Sequence, residues 1–149
     1  MTRLSAGLFL IFFYTTMDET KELILPSELE SLEILEDFTR SLEKWVHLDK
    51  NRQNDIMLIL TEAVTNAIIH GNNNDPDKKV KIRALLSEDQ LTFTIEDEGP
   101  GFNPDQIPNP LDNENLLKTG GRGIYLIKYY ADYVHFSDKG NKVTIVFDI

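Results

Sequence analysis

Apolar and polar positions along the chain switch between two periods, and the switches mark the elements. In Lys21–Pro26, Leu23 and Leu25 alternate with polar neighbours, a short strand that Pro26 ends. Ser27 stands in the position of a helix N-cap with Glu30 at the capping-box spacing. Leu29, Leu32, Leu35, Phe38, Leu42 and Trp45 then recur at helical spacing, which predicts an amphipathic helix with an acidic outer face. Asp49 or Asn51 caps a second helix running to about His70, with Ile56, Leu60, Ala63, Val64 and Ala67 as its buried stripe. Gly71 stops that helix and Asn72–Pro76 reads as loop.

Val80–Leu86 alternates as a strand, Ser87–Gln90 turns the chain, and Leu91, Phe93 and Ile95 mark one face of the next strand. Gly99-Pro100-Gly101 breaks it. Residues 103–119 carry Pro104, Pro108 and Pro110 and read as a long loop, which in a compact domain is usually functional, often a lid. Gly121–Ala131 predicts a helix with Ile124, Ile127 and Tyr130 or Ala131 inward. Tyr133–Ser137 and Lys142–Asp148 are two final strands joined by a hairpin at Lys139-Gly140-Asn141. Tight turns between neighbouring strands predict a largely antiparallel or mixed sheet. They argue against a doubly wound nucleotide fold, which alternates strand and helix throughout.

Composition narrows the picture further. A chain of 149 residues fits one domain, and the 41% hydrophobic and 27% charged fractions are ordinary for a globular protein. The net charge of −10, densest over Glu28–Glu43, argues against non-specific nucleic-acid binding and suits a partner with a basic face. The absence of cysteine excludes disulfides and thiol chemistry and fits a reducing cytoplasm. Leu8–Tyr14 is apolar but much shorter than the ~20 residues a bilayer requires, and no membrane role is expected. Met17 opens a polar stretch leading into the domain. We therefore expect residues 1–16 to be an extension from a misassigned start and 17–149 to be the domain; the alternative for the extension is a weak membrane or partner anchor.

Three segments carry candidate chemistry. Glu62 and Asn66 are four residues apart on one helix face, opposite the apolar stripe, with His70 one turn on. A carboxylate and an amide so stacked offer oxygen ligands to Mg, and Glu62 can instead deprotonate a nucleophile; a solvated helix face is the plainer reading. His70 also suits the C-terminal helix dipole, and three histidines offer no zinc spacing. Asp97 ends a strand before Gly99-Pro100-Gly101, where it can accept a hydrogen bond from an exocyclic amine such as that of adenine, or simply form a turn. Gly120-Gly121-Arg122-Gly123, with Lys118 and Thr119 before it, precedes a helix and offers an anion site without being a Walker loop.

Taken in order, Thr61-Glu62-Ala63-Val64-Thr65-Asn66-Ala67-Ile68-Ile69-His70-Gly71, Asp97-Glu98-Gly99-Pro100-Gly101-Phe102 and Gly120-Gly121-Arg122-Gly123-Ile124 resemble the GHKL (Bergerat-fold) ATPase superfamily. The first segment looks most like the bacterial anti-sigma-factor serine kinases. The resemblance covers about residues 20–149. It implies an α+β fold, a two-layer α/β sandwich with a mixed, mostly antiparallel sheet and helices on one face. It implies Mg-ATP as cofactor, with Glu62 as catalytic base, Asn66 as Mg ligand, Asp97 as the adenine-reading carboxylate, and Gly99 and Gly101 beneath the base. Gly121, Arg122 and Gly123 match the phosphate-holding box, and residues 103–119 the ATP lid. His70, Phe102, Lys118, Thr119, Gly120 and Ile124 complete the expected nucleotide site.

The implied activity is that of a cytoplasmic serine/threonine protein kinase and anti-sigma factor, a homodimer that binds a sigma factor and phosphorylates a serine on a STAS-type anti-anti-sigma protein. The alternatives are a non-catalytic nucleotide-gated binding module and the detached catalytic part of a histidine kinase. Two departures stand out. Arg40 is the lone arginine of an otherwise acidic first helix, and Arg122 occupies a position that is often apolar in those kinases.

Overall fold

The structure is a computed structural model and describes residues 19–103 and 119–149; for residues 119–121 it describes the helical backbone and not the side chains. The elements are β1 (Glu19–Pro26), α1 (Ser31–Ser41), a short 3-10 turn (Leu42–Lys44), α2 (Lys50–Asn66) with a π-turn (Ala67–Gly71), β2 (Lys79–Leu86), β3 (Gln90–Glu96), α3 (Thr119–Tyr130), β4 (Tyr133–Phe136) and β5 (Lys142–Asp148). The strands form one sheet in the order β1-β2-β3-β5-β4. Every ladder between the described strands is antiparallel. The expected α+β sandwich is therefore present, and the sheet is antiparallel where a mixed one was allowed for.

The core lies between one face of the sheet and the helices. Leu25, Val80, Ile82, Ala84, Leu91, Phe93, Ile95, Ile145 and Phe147 point into it from alternate strand positions. Ile56, Ile59, Leu60, Ala63, Val64, Ala67 and Ile68 meet them from α2 and its π-turn. Each fully buried Leu, Ile or Phe stabilises the fold by about 1.5–3 kcal/mol relative to an exposed one. Phe93 and Phe147, neighbours across β3 and β5, meet edge to face with centroids 6.1 Å apart. The other face carries Lys79, Lys81, Arg83 and Glu96, all exposed.

Some boundaries differ from the sequence expectation, each for a physical reason. Ser27 does not cap α1. Its backbone N–H and hydroxyl both donate to the Lys78 carbonyl, at 3.1 and 2.8 Å, so it is committed to the residue that leads into β2. The helix begins four residues later, and its N-cap, Glu30, makes no side-chain cap bond. Leu29 consequently lies outside the helix and is 53% exposed instead of buried. The helix also stops at Ser41, before Trp45, which packs beside the core while its indole N–H donates to Glu19. Asp49 caps α2 as expected, accepting from the Arg52 N–H at 2.8 Å. The glycine box falls inside the first turns of α3, which starts at Thr119 and not at Gly121. The expected N-terminal extension, Lys118 and all but the ends of the expected lid lie outside the described residues.

Candidate functional site

The C-terminal end of α2 builds one wall of the site. After Asn66 the helix loosens into the π-turn, with the Asn72 N–H bonded to the Ala67 carbonyl at 2.9 Å. Such turns insert one residue and are frequent at functional sites. Asn73 and Asn74 then take left-handed conformations (φ 53° and 57°), which asparagine tolerates better than most residues. The π-turn pushes Gly71 against the end of β3. A methyl group on Gly71 would lie 2.3 Å from the Asp97 carboxyl carbon, so only glycine lets the carboxylate sit there.

Asp97 is gripped through its backbone. Its N–H donates to the Asn141 carbonyl at 2.9 Å, and the Asn141 amide donates back to the Asp97 carbonyl at 3.2 Å. The carboxylate accepts the Gly99 N–H at 2.8 Å. Burial holds the Asp97 carboxyl above the usual carboxylate range; the Gly99 N–H and the Lys139 charge oppose that rise, and Glu96 adds to it.

Between these walls opens a cleft of about 190 Å³. Its lining is mostly apolar: Ala63, Ala67, Ile95, Phe102, Ile124, Ile127, Phe136 and Val143, with Asn66, His70, Asp97, Asn141 and Lys142 as the polar groups. Phe102 meets Phe136 edge to face at 5.5 Å. An apolar slot with few polar groups, one a carboxylate, suits a flat heterocycle that presents an amine.

The Glu62–Asn66 face is not the solvated surface that spacing alone suggests. Both residues are half-buried, because α3 crosses α2 there at Gly123. A methyl group on Gly123 would lie 2.8 Å from Asn66 Nδ2 and 2.9 Å from Glu62 Oε2. The missing side chain is what lets the helices close over these two polar groups. Glu62 does not itself line the cleft.

The structure thus brings Asn66, His70, Asp97, Gly101, Phe102 and Ile124 to one cleft. Gly99 lies behind Asp97, where its N–H meets the carboxylate, and Gly101 has a φ of 77°. Arg122 is exposed and does not line the cleft. Thr119, Gly120 and Gly121 open α3. Sequence reasoning missed Gly71, Phe136, Asn141 and Lys142 as cleft residues and Asn72 as a buried support. Gly71 was read as a helix stop and as the last residue of the first family-like segment, and Asn141 as a hairpin residue.

Comparison with known proteins agrees with this architecture. The family model for the histidine kinase-like ATPase domain matches residues 25–147, and the chain belongs to that family. Its curated relatives include proteins named anti-sigma F factor. The one from Oceanobacillus iheyensis is 37% identical over 95 residues, which span 62% of this chain and 65% of the relative. The one from Clostridium beijerinckii is 38% identical over 96 residues, which span 62% of this chain and 67% of the relative. Among solved structures, the RsbU and RsbW domains of a Mycobacterium tuberculosis protein superpose with a TM-score of 0.60 at 14% identity, over 87% of this chain and 32% of that one. At such identity the likeness shows the fold. Among the described residues, no helix is long and apolar enough to cross a membrane.

Proposed function

We propose that the chain is a cytoplasmic, Mg-ATP-binding serine/threonine protein kinase that acts as an anti-sigma factor and phosphorylates a serine on a STAS-type antagonist. The observation that carries the reading is one juxtaposition. Asp97 stands in an apolar cleft whose lining also includes Asn66, and Asn66 and Glu62 lie together under the N-terminal part of α3. Adenine fits the slot, its exocyclic amine donating to Asp97. The phosphates favour the start of α3, where free N–H groups and the helix dipole attract anions.

The donor set fits a cation carried in with the nucleotide. No group of three His, Cys, Asp or Glu side chains gathers into a metal cage among the described residues. Asn66 offers one oxygen, and Mg is commonly held by few protein ligands together with phosphates and water. When bound, the cation neutralises charge on the phosphates. Glu62 accepts the proton of the substrate hydroxyl as that oxygen bonds to the γ-phosphorus and ADP leaves. The names of the curated relatives support the sigma-factor half. The homodimer belongs to the same proposal.

Because Glu62 stands outside the cleft lining, a second reading competes: a non-catalytic module in which nucleotide only gates partner capture. One experiment separates them. The protein is incubated with γ-labelled ATP, Mg and cytosol, and what it captures is examined for phosphoserine. The kinase reading expects a labelled STAS-type protein with wild type. With Glu62→Ala it expects unchanged ATP binding and no label. Equal labelling by the Glu62→Ala protein rejects Glu62 as base, and capture without any label favours the gated module.

A further inference from the structure

The side chain of Asn72 is completely buried, and both its N–H donors and its oxygen are hydrogen-bonded. Its oxygen accepts the Glu98 N–H at 2.8 Å. Its nitrogen donates to Ser27 Oγ at 2.8 Å and to the Lys79 carbonyl at 3.0 Å. Ser27 in turn donates its hydroxyl to the Lys78 carbonyl at 2.8 Å, leaving its oxygen free to accept. The chain of bonds therefore runs in one direction, which fixes the amide orientation: a flipped amide would set its NH₂ against the Glu98 N–H. This single side chain ties together the end of β1, the start of β2 and the loop leaving β3.

That loop carries Asp97. Asn141 holds the peptide groups of Asp97 from the β5 side, and Asn72 holds the next N–H from the opposite side. The carboxylate's bond to the Gly99 N–H requires the intervening backbone to keep its path. The π-turn that sets Asn72 in place also sets Gly71 against the carboxylate. From this geometry we infer that Asn72 is a positioning residue of the nucleotide site: it fixes the backbone of the Asp97–Gly99 loop and, through it, the direction in which the Asp97 carboxylate meets the base. The inference rests on the nucleotide-site reading above.

The direction of that carboxylate bears on base choice. An oxygen acceptor aimed into the slot pairs with an exocyclic amine and opposes a carbonyl at the same position, as guanine would present. Shortening Asn72 to alanine removes the acceptor of the Glu98 N–H and loosens the loop, which Asn141 and the bond from the Lys79 N–H to the Glu98 carboxylate still hold at other points. The consequence is a weaker preference for adenine over guanine as well as weaker binding. A purely structural asparagine, by contrast, would lower the melting temperature and leave the affinity of the folded protein unchanged.

The test is calorimetric titration of ATP and GTP into wild type, Asp97→Asn, Asn72→Ala and Asn72→Asp, with a thermal melt of each. Wild type is expected to bind ATP and Asp97→Asn is not. Folded Asn72→Ala is expected to bind ATP about tenfold more weakly or worse, with a reduced ATP-over-GTP ratio, as follows from a loosened, partly unsatisfied recognition group. Asn72→Asp keeps an oxygen for the Glu98 N–H but sets a carboxylate against the Lys79 carbonyl. It is expected to melt lower than wild type yet bind ATP within about threefold of it, because the recognition geometry survives while a buried group loses its partner. ATP affinity and base ratio equal to wild type in Asn72→Ala overturn the inference while leaving the site reading intact. If the alanine variant does not fold, Asn72→Ser, whose hydroxyl is too short to reach the Glu98 N–H, takes its place: an about tenfold loss of ATP affinity with a reduced ATP-over-GTP ratio supports the inference, and affinity and ratio equal to wild type overturn it. Failure of wild type to bind ATP overturns the site reading and the inference with it.

Discussion

Gly71 and Asp97 come from segments far apart in sequence, and the carboxylate of Asp97 occupies the space that any larger residue at position 71 would need. A methyl group there would sit 2.3 Å from both the carboxyl carbon and one carboxyl oxygen. Gly71→Ala therefore forces the aspartate or the π-turn to move. Overpacking of this kind costs about 1–3 kcal/mol. The expected outcome is a lower denaturation midpoint together with loss of nucleotide affinity. An alanine variant that binds ATP as wild type does would show that the carboxylate is not needed where it stands.

Asp97→Asn should raise the stability of the nucleotide-free protein at neutral pH while removing nucleotide binding. Burial raises the folded-state pKa of Asp97 above its unfolded value. Ionising it therefore costs more in the folded protein, so its contribution to stability is fully present below the unfolded pKa and is lost as pH rises through the raised folded value. Asparagine escapes that loss and can still accept the Gly99 N–H. Melting curves of the two proteins should differ most near neutral pH and least in acid. A variant that melts lower than wild type at neutral pH contradicts the sign.

Gly123→Ala tests the other end of the site. The added methyl group meets Asn66 and Glu62 at less than 3 Å, while Gly123 does not line the cleft. Phosphotransfer should fall by at least about tenfold, as misplacement of positioned catalytic groups does, whereas binding of adenosine, which lacks phosphates, should stay near wild type. Single-turnover kinetics and adenosine titration read the two effects separately. Equal losses in both would place the damage in the slot instead.

Arg52 offers a prediction remote from the cleft. Its guanidinium pairs with Asp132, donates to the Asp148 carbonyl at 3.0 Å and lies 5.3 Å from the centre of the Phe147 ring. Asp132 also accepts the Asp148 N–H at 2.8 Å. The start of α2 is thus clamped to the end of β5 and the α3–β4 turn. Arg52→Ala should cost about 1 kcal/mol in urea denaturation, since these contacts are partly exposed and screened by solvent, with Arg52→Lys losing less. Nucleotide affinity should be unchanged in both.

Much of the fold was legible from local periodicity. Alternation in Lys79–Leu86 and Gln90–Glu96, helical spacing through Ile56, Leu60, Ala63 and Ala67, and glycine punctuation supplied the element order. Local signals failed where a distant partner claimed a group. Ser27 had every local mark of a helix cap, yet the Lys78 carbonyl and the Asn72 amide took it. Leu29 was then left outside the helix whose buried stripe it was expected to join. In Asn72-Asn73-Asn74, three identical residues read as one polar loop, although the first is buried and the next two are left-handed.

Residue type and spacing within a few turns of chain were enough to give the order of strands and helices and to mark Glu62, Asn66 and Asp97 as candidate chemistry. Only the tertiary structure decided that Gly71 makes room for Asp97, that Gly123 covers the Glu62–Asn66 face, and that Asn72 and Asn141 hold the loop from opposite sides. These are contacts between residues far apart in the chain. Spacing in sequence carries no information about which glycine will face which carboxylate, since that follows from the antiparallel sheet order and from the way α3 crosses α2.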